Sequence, residues 1–408
     1  MVGASVRELV RRLELLGRVS DDAERLTRTF LSPAMRRANS QVGDWMREAG
    51  LVVREDAVGN LVGRLAAANP KAPTLVVGSH LDTVRDAGRF DGPLGVLLGI
   101  AAVEVLRRSR IELAYSLEVV GFSEEEGVRF GSAYLGSKGY TGTLRARDLA
   151  LRDRDGVSIR QALEEFGGGR FSVPKPAHRR RDLLGYLEVH LEQGPVLEAV
   201  GLPVGVVTAI AGQTRLRFTW TGKAGHAGTT PMALRRDALA GAAEFVLVAE
   251  ALARRTPGLM ATVGSLETRP GAPNVIPGTV QHTLDVRHEQ DRVRNKALAD
   301  LLRTAQRIAD SRRLSVISES TQANDATPCA PLLSRRLAAS VAARGISPLR
   351  LPSGAGHDGV VMAALTPIAM LFVRCRDGLS HHPDEFVAPR DLAVALEVTV
   401  DFLERMGR

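Results

Sequence analysis

The chain has 408 residues, 44% hydrophobic and 25% charged, a globular composition too long for one ordinary core and suggestive of two domains. It carries 54 basic against 46 acidic side chains, a net charge of +8, yet only 4% of residues are aromatic and the arginines are dispersed. His178–Asp182 is the one tight basic cluster, so the composition argues against a nucleic-acid groove and for a basic surface that can attract a small anion.

The N-terminal stretch reads as an amphipathic helix with charges inside it, without the apolar segment of a secretory signal. "TLVVGSH", Thr74 to His80, is a short β-branched run and reads as a buried strand. Gly95–Ser109 has helical periodicity with basic residues in its last turn. Strands follow in "LAYSLEVVGFS" and "GYLEVHLEQG", so apolar strands alternate with helices as in an α/β layer, whose functional groups sit at strand ends. "FGGGRFSVPKPAHRRR" between them reads as a flexible loop. From about Ala211 the strands "QTRLRFTWTGKAG" and "TVQHTLDVRHE" alternate apolar and polar, and two helices accompany them, predicting an inserted α+β unit. After Thr327 the α/β texture returns with the strand "PIAMLFVRC" and a last helix from Asp391. The expected division is 1–210 and 326–408 for the main domain and 211–325 for the insertion. No apolar run reaches the roughly 18 residues of a membrane span. Cys329 and Cys375 can form neither a disulfide framework nor a CxxC site and read as buried apolar side chains, and the whole is expected to be cytoplasmic.

The chemistry gathers at strand ends. His80 and Asp82 lie two apart after a strand, so the carboxylate can orient the imidazole. Asp91 precedes a helix and either caps it or binds a cation. Glu124, Glu125 and Glu126 repel one another and need either solvent or a cation. With His190 and His381, both near later strand ends, these residues make up the donor set that two divalent ions sharing a carboxylate require.

In order along the chain, "GSHLDTVRDAGRFDGPLGV", "FSEEEGVRFGSAYLGS", "HLEQGPVLE", "GKAGHAGTTPM", "NVIPG", "DVRH", "SGAGHDG" and "GLSHHPDEF" resemble the M20-type metallopeptidase superfamily, and within it the hydantoinase/carbamoylase amidases. The match runs from about Leu26 to Val394. "LTRTFLSPA", "AIAGQTRL" and "MLFVRCRDGLSH" are most similar to allantoate amidohydrolases, although N-carbamoyl-L-amino acid hydrolases and β-ureidopropionases share most motifs. An M20 peptidase, or a binding protein without catalysis, is a further alternative.

The resemblance implies an α/β catalytic domain of zinc-aminopeptidase type, with a mixed sheet flanked by helices, plus an inserted α+β lid domain that makes a homodimer. It implies two divalent ions per subunit, Mn²⁺ or Zn²⁺, with Co²⁺ or Ni²⁺ as options. His80 and His190 would hold one, Glu126 and His381 the other, and Asp91 both. Glu125 would be the general base and Asp82 a further catalytic residue beside His80, while Glu124 would face solvent or a backbone donor. Gln193, His226, Asn274, Arg287, Gly356 and His357 would contact a small anionic ureido acid, with His226 also steadying the oxyanion. The residue after "GAGHD" is Gly359 where the family often has alanine. His178, His282 and His288 are left as surface or structural. Neither nucleic acid nor membrane is an expected partner.

Overall fold

A computed structural model describes residues 2–407. Met1 and Arg408, the outer ends of the expected first and last segments, lie outside the described residues. The chain divides into two compact units, one running to Thr208 and resuming at Pro328, the other Ala209–Thr327.

The first unit is built on a mixed sheet. Four neighbouring strands, Ser116–Phe122, Thr74–His80, Leu183–Leu191 and Ile368–Val373, run parallel. Antiparallel strands extend it on both sides, Leu61–Leu65 and Val52–Glu55 on one and Val204–Ile210 on the other. Thr74–His80, Ser116–Phe122 and Ile368–Val373 are buried along their whole length, as parallel strands covered on both faces must be. This is why they read as continuous apolar runs. The helix Pro93–Arg108 starts with proline in its first turn, ends on Arg107 and Arg108, and buries most of its surface in the main core with Val2–Leu16 and Pro389–Met406. His178 is structural: it donates from Nε2 to Glu118 at 2.9 Å.

Glu118 is buried in the strand Ser116–Phe122 and also accepts from Arg64 and Tyr140, both at 2.8 Å. Burial alone would raise its pKa, but the hydrogen bonds from His178, Tyr140 and Arg64 win and hold it at about 2. A depressed carboxylate stabilises the fold above its unfolded pKa, and that stability is lost as pH falls through the folded one. Wild type should therefore exceed Glu118→Gln by on the order of 3 kcal/mol at neutral pH. The difference should shrink between pH 4.5 and about 2, as measured by urea unfolding at each pH. A gap that stayed constant down to pH 2 would trace to shape and not to charge.

The second unit is an antiparallel sheet in the order Leu266–Arg269, Thr279–His288, Gly212–Thr221, Ser315–Asn324. Burial alternates along Thr279–His288 and Gly212–Thr221, and the inward residues pack with Ala238–Arg255 and Asp291–Ser311. His282 lies within this core, stacked on Phe218 at 5.0 Å and accepting from Trp220 Nε1 at 2.9 Å, and His288 is also buried. Both cysteines are free and buried. Among the described residues no helix is long and apolar enough to cross a membrane.

Candidate metal centre

The parallel strands deliver the chemistry to one edge. His80 is the last residue of its strand, the glutamate triplet follows Phe122, His190 is next to the end of its strand, and His381 lies beyond Val373. Asp91 enters from the turn before the helix Pro93–Arg108. That helix is capped by Gly92 with no side-chain hydrogen bond, so Asp91 is not its cap. Gly92 has φ +82°, and a Cβ there would stand 2.4 Å from His80 Nδ1, so only glycine lets this turn lie on the imidazole.

Asp91 is the hub. Its Oδ1 is 3.5 Å from His80 Nε2 and 3.1 Å from His190 Nε2, while its Oδ2 is 3.2 Å from His381 Nε2. Glu126 Oε1 lies 3.5 Å from the same His381 nitrogen. Three donor sets, His80–Asp91–His190, His80–Glu125–Glu126 and Asp91–Glu126–His381, each keep their ligand atoms within 4.8 Å of one another.

The tautomers bear on whether a cation fits. His80 Nδ1 donates to the Asp82 carbonyl and His190 Nδ1 to the Leu191 carbonyl, each at 3.0 Å. In the neutral rings Nε2 is then a bare lone pair. His190 Nε2 is buried without a hydrogen-bond partner, although Asp91 Oδ1 is 3.1 Å away. A lone pair facing a carboxylate oxygen at that distance is repulsive unless positive charge lies between them. The nitrogen and oxygen donors, without thiolate, suit Mn²⁺, Zn²⁺, Co²⁺ or Ni²⁺.

The electrostatics agree. Burial pushes the Glu125 carboxyl well above the usual range and, with repulsion from Asp91 and Asp82 among its causes, raises Glu126 to about 7. Asp91 is also buried, but the three imidazoles of His190, His381 and His80 gathered around it hold its carboxyl well below that range. Several carboxyls crowded into a dry site call for cations.

The three glutamates have separate surroundings. Glu124 is buried and accepts from the backbone of Gly127 and, at 2.9 Å, of Leu135, so its partners are backbone donors and not solvent. Glu125 and Glu126 share the set with His80. Their backbone N–H groups donate to the two oxygens of Asp82 at 3.0 and 3.2 Å, and Asp82 Oδ1 lies 3.3 Å from His80 Nδ1. One carboxylate thus orients both the imidazole and the glutamate turn.

Gln193 Nε2 donates to Asp91 Oδ2 at 2.9 Å, and its Oε1 is buried without a protein partner. His357 is buried against the His190 ring, with centroids 4.6 Å apart, and its Nε2 meets Ser353 Oγ at 2.7 Å. At Gly356 a Cβ would fall 2.0 Å from the Tyr134 hydroxyl, so glycine is needed there too. His226, Asn274 and Arg287 belong to the second unit. There, His226 pairs with Val275, and Ala227 N–H donates to the Asn274 carbonyl at 2.9 Å. Arg287 forms a two-point fork with Asp285, both contacts 2.9 Å.

Sequence reasoning singled out neither Ser380, Glu385 nor Tyr134, all of which border the residues above. The first two lie inside "GLSHHPDEF", but only their contacts with a loop almost 300 residues earlier reveal them.

An α/β sheet with imidazoles and carboxylates converging on one aspartate at its strand ends defines a class, hydrolases built around bound cations. The model of Peptidase family M20/M25/M40 matches residues 76–405. An N-carbamoyl-L-amino acid amidohydrolase of Geobacillus stearothermophilus is 42% identical over 96% of this chain and 96% of its own length. Allantoate deiminase 2 of Glycine max is 41% identical over 98% of this chain and 89% of its own. The crystal structure of a hydantoinase/carbamoylase family amidase from Burkholderia multivorans superposes with a TM-score of 0.93, at 32% identity over 98% of both chains. The chain belongs to the M20/M25/M40 family, in its hydantoinase/carbamoylase branch, and is an amidohydrolase.

Proposed function

We propose that the chain hydrolyses the ureido C–N bond of a small ureido acid, allantoate first, giving ureidoglycine, ammonia and carbon dioxide. N-carbamoyl-L-amino acids and N-carbamoyl-β-alanine are the alternatives. The observation that carries this reading is the pair of donor sets joined on Asp91. His80, His190 and Asp91 would hold one divalent ion, and Asp91, Glu126 and His381 a second. Such ions, when bound, lower the pKa of water and polarise a carbonyl.

The remaining work falls to side chains. Glu125 accepts the proton of the attacking water and delivers it to the departing nitrogen. Asp82 keeps His80 and Glu125 in register. His226 Nδ1 accepts from Gly228 N–H at 3.1 Å, which leaves Nε2 as a donor suited to the oxyanion of the tetrahedral intermediate. The partnerless Gln193 Oε1 accepts a ureido N–H, while Gly356 and His357 line the site. Asn274 and Arg287 hold the substrate carboxylate. The planar guanidinium suits two-point recognition of a carboxylate, as its fork with Asp285 illustrates. A homodimer formed through the second unit accords with its exposed apolar side chains, among them Leu247, Met260 and Ile317. Two free cysteines accord with a reducing, cytoplasmic setting.

The test is ammonia release from the three ureido acids with Mn²⁺-loaded protein, for wild type and Arg287→Lys. The candidates differ by a side group or a methylene, worth about 1–3 kcal/mol each in a shaped pocket. Allantoate should have the highest kcat/KM. Losing the planar fork should lower it by the equivalent of about 2–5 kcal/mol, with metal content unchanged. Wild-type kinetics in Arg287→Lys would reduce the residue to a partner of Asp285, and activity on none of the three acids would defeat the reading.

A further inference from the structure

We propose that Glu385 is a positioning residue of the metal centre, clamping the loop that carries Asp91 to the loop that carries His381. The inference rests on the reading of those residues as cation ligands. Glu385 is 1% exposed and its side chain is fully engaged. One oxygen accepts the backbone N–H groups of Phe90 at 2.7 Å and Asp91 at 3.0 Å. The other lies 3.2 Å from Ser380 Oγ, and that hydroxyl also donates to Asp91 Oδ2 at 2.6 Å. Glu385 therefore holds Asp91 twice, by its backbone directly and by its carboxylate through Ser380.

The geometry explains why such a clamp is needed. His381 lies on a loop, its side chain is 48% exposed, and its φ of 57° is in the left-handed region that residues other than glycine seldom adopt. Its imidazole meets Asp91, Glu126 and Gln193 through Nε2. The preceding residue is anchored as well, and the anchor is the same carboxylate that sets Asp91. Two amides donate to one oxygen of Glu385, and the Ser380 hydroxyl, whose proton goes to Asp91 Oδ2, stands 3.2 Å from the other. A second buried carboxylate beside Asp91 adds repulsion that a simple packing staple would avoid. Cations bound at the site would compensate it and gain from the added negative potential. Phe90 and Phe386 already bring the two loops together by an edge contact at 6.2 Å, so adhesion alone does not require the acid.

The experiment titrates metal-free protein with Mn²⁺ by calorimetry and by competition with a fluorescent chelator. Circular dichroism checks the fold of each variant. Glu385→Ala and Ser380→Ala should each weaken Mn²⁺ binding by about 10–100-fold, the usual loss when a ligand's outer partner is removed. Glu385→Gln retains an oxygen for the two amides but loses the charge, and should recover part of the affinity. Because the two residues act in one chain, the double variant should lose less than the product of the single losses. Wild-type Mn²⁺ affinity in folded Glu385→Ala would overturn the proposal. So would wild-type affinity in Ser380→Ala should Glu385→Ala not fold. Failure of the wild type itself to bind Mn²⁺ would instead overturn the reading of the site as a metal centre.

Discussion

Glu125→Gln is expected to bind metal as wild type does and to lose turnover by about two to four orders of magnitude, the range for removing general acid–base catalysis. The substitution keeps the shape of the side chain and removes only its ability to carry a proton. Its backbone N–H still donates to Asp82, so the glutamate turn stays in place. The residue is buried, and burial pushes its carboxyl well above the usual range, which makes it a stronger base than an exposed glutamate. The expected signature is unchanged Mn²⁺ stoichiometry by elemental analysis together with a collapsed kcat. Near-wild-type turnover with metal bound would mean that another group moves the proton, and Glu125 would then serve only as a ligand beside His80 and Glu126.

Asp91→Ala should abolish tight binding of at least one ion, and activity with it. Both carboxylate oxygens are used, Oδ1 toward His80 and His190, and Oδ2 toward His381, Gln193 and Ser380. Removing them separates the two histidine groups and would leave two cations bound on the proposed ligand sets without the anion that offsets their mutual repulsion. An outer partner costs about 10–100-fold in affinity, so loss of the shared ligand should exceed that range. Calorimetric titration with Mn²⁺ measures it. Two ions per chain at wild-type affinity would show that the histidines and Glu126 suffice. Asp91 would then be a hydrogen-bond organiser of the turn before Pro93.

The histidine tautomers and the neighbours of Asp91 also say why some parts of the site were readable in one dimension and others were not. Strand ends are local features. A buried parallel strand is a short β-branched run, and the residue that ends it is visible as soon as the run is, which exposed His80, His190 and the glutamate triplet. The inserted unit was visible because a sheet with one wet face alternates, and Thr279–His288 does so at every position.

By itself, then, the order of residues determined the α/β layer, the change of texture near Ala211 and Thr327, and the motif set that marks the family. Those depend on side-chain periodicity and on residues close in the chain. Tertiary structure decided what each polar group does. Asp91 could have capped its helix until the fold brought three imidazoles to it from sites 11 to 290 residues away. Glu124 and Glu125 are neighbours with the same side chain, yet one turns to backbone donors and the other to His80. The motif around Glu385 does not reveal its role, because its partners Phe90 and Asp91 are 295 and 294 residues distant. A hydrogen bond is specified by distance and angle in space, and only chain folding supplies those.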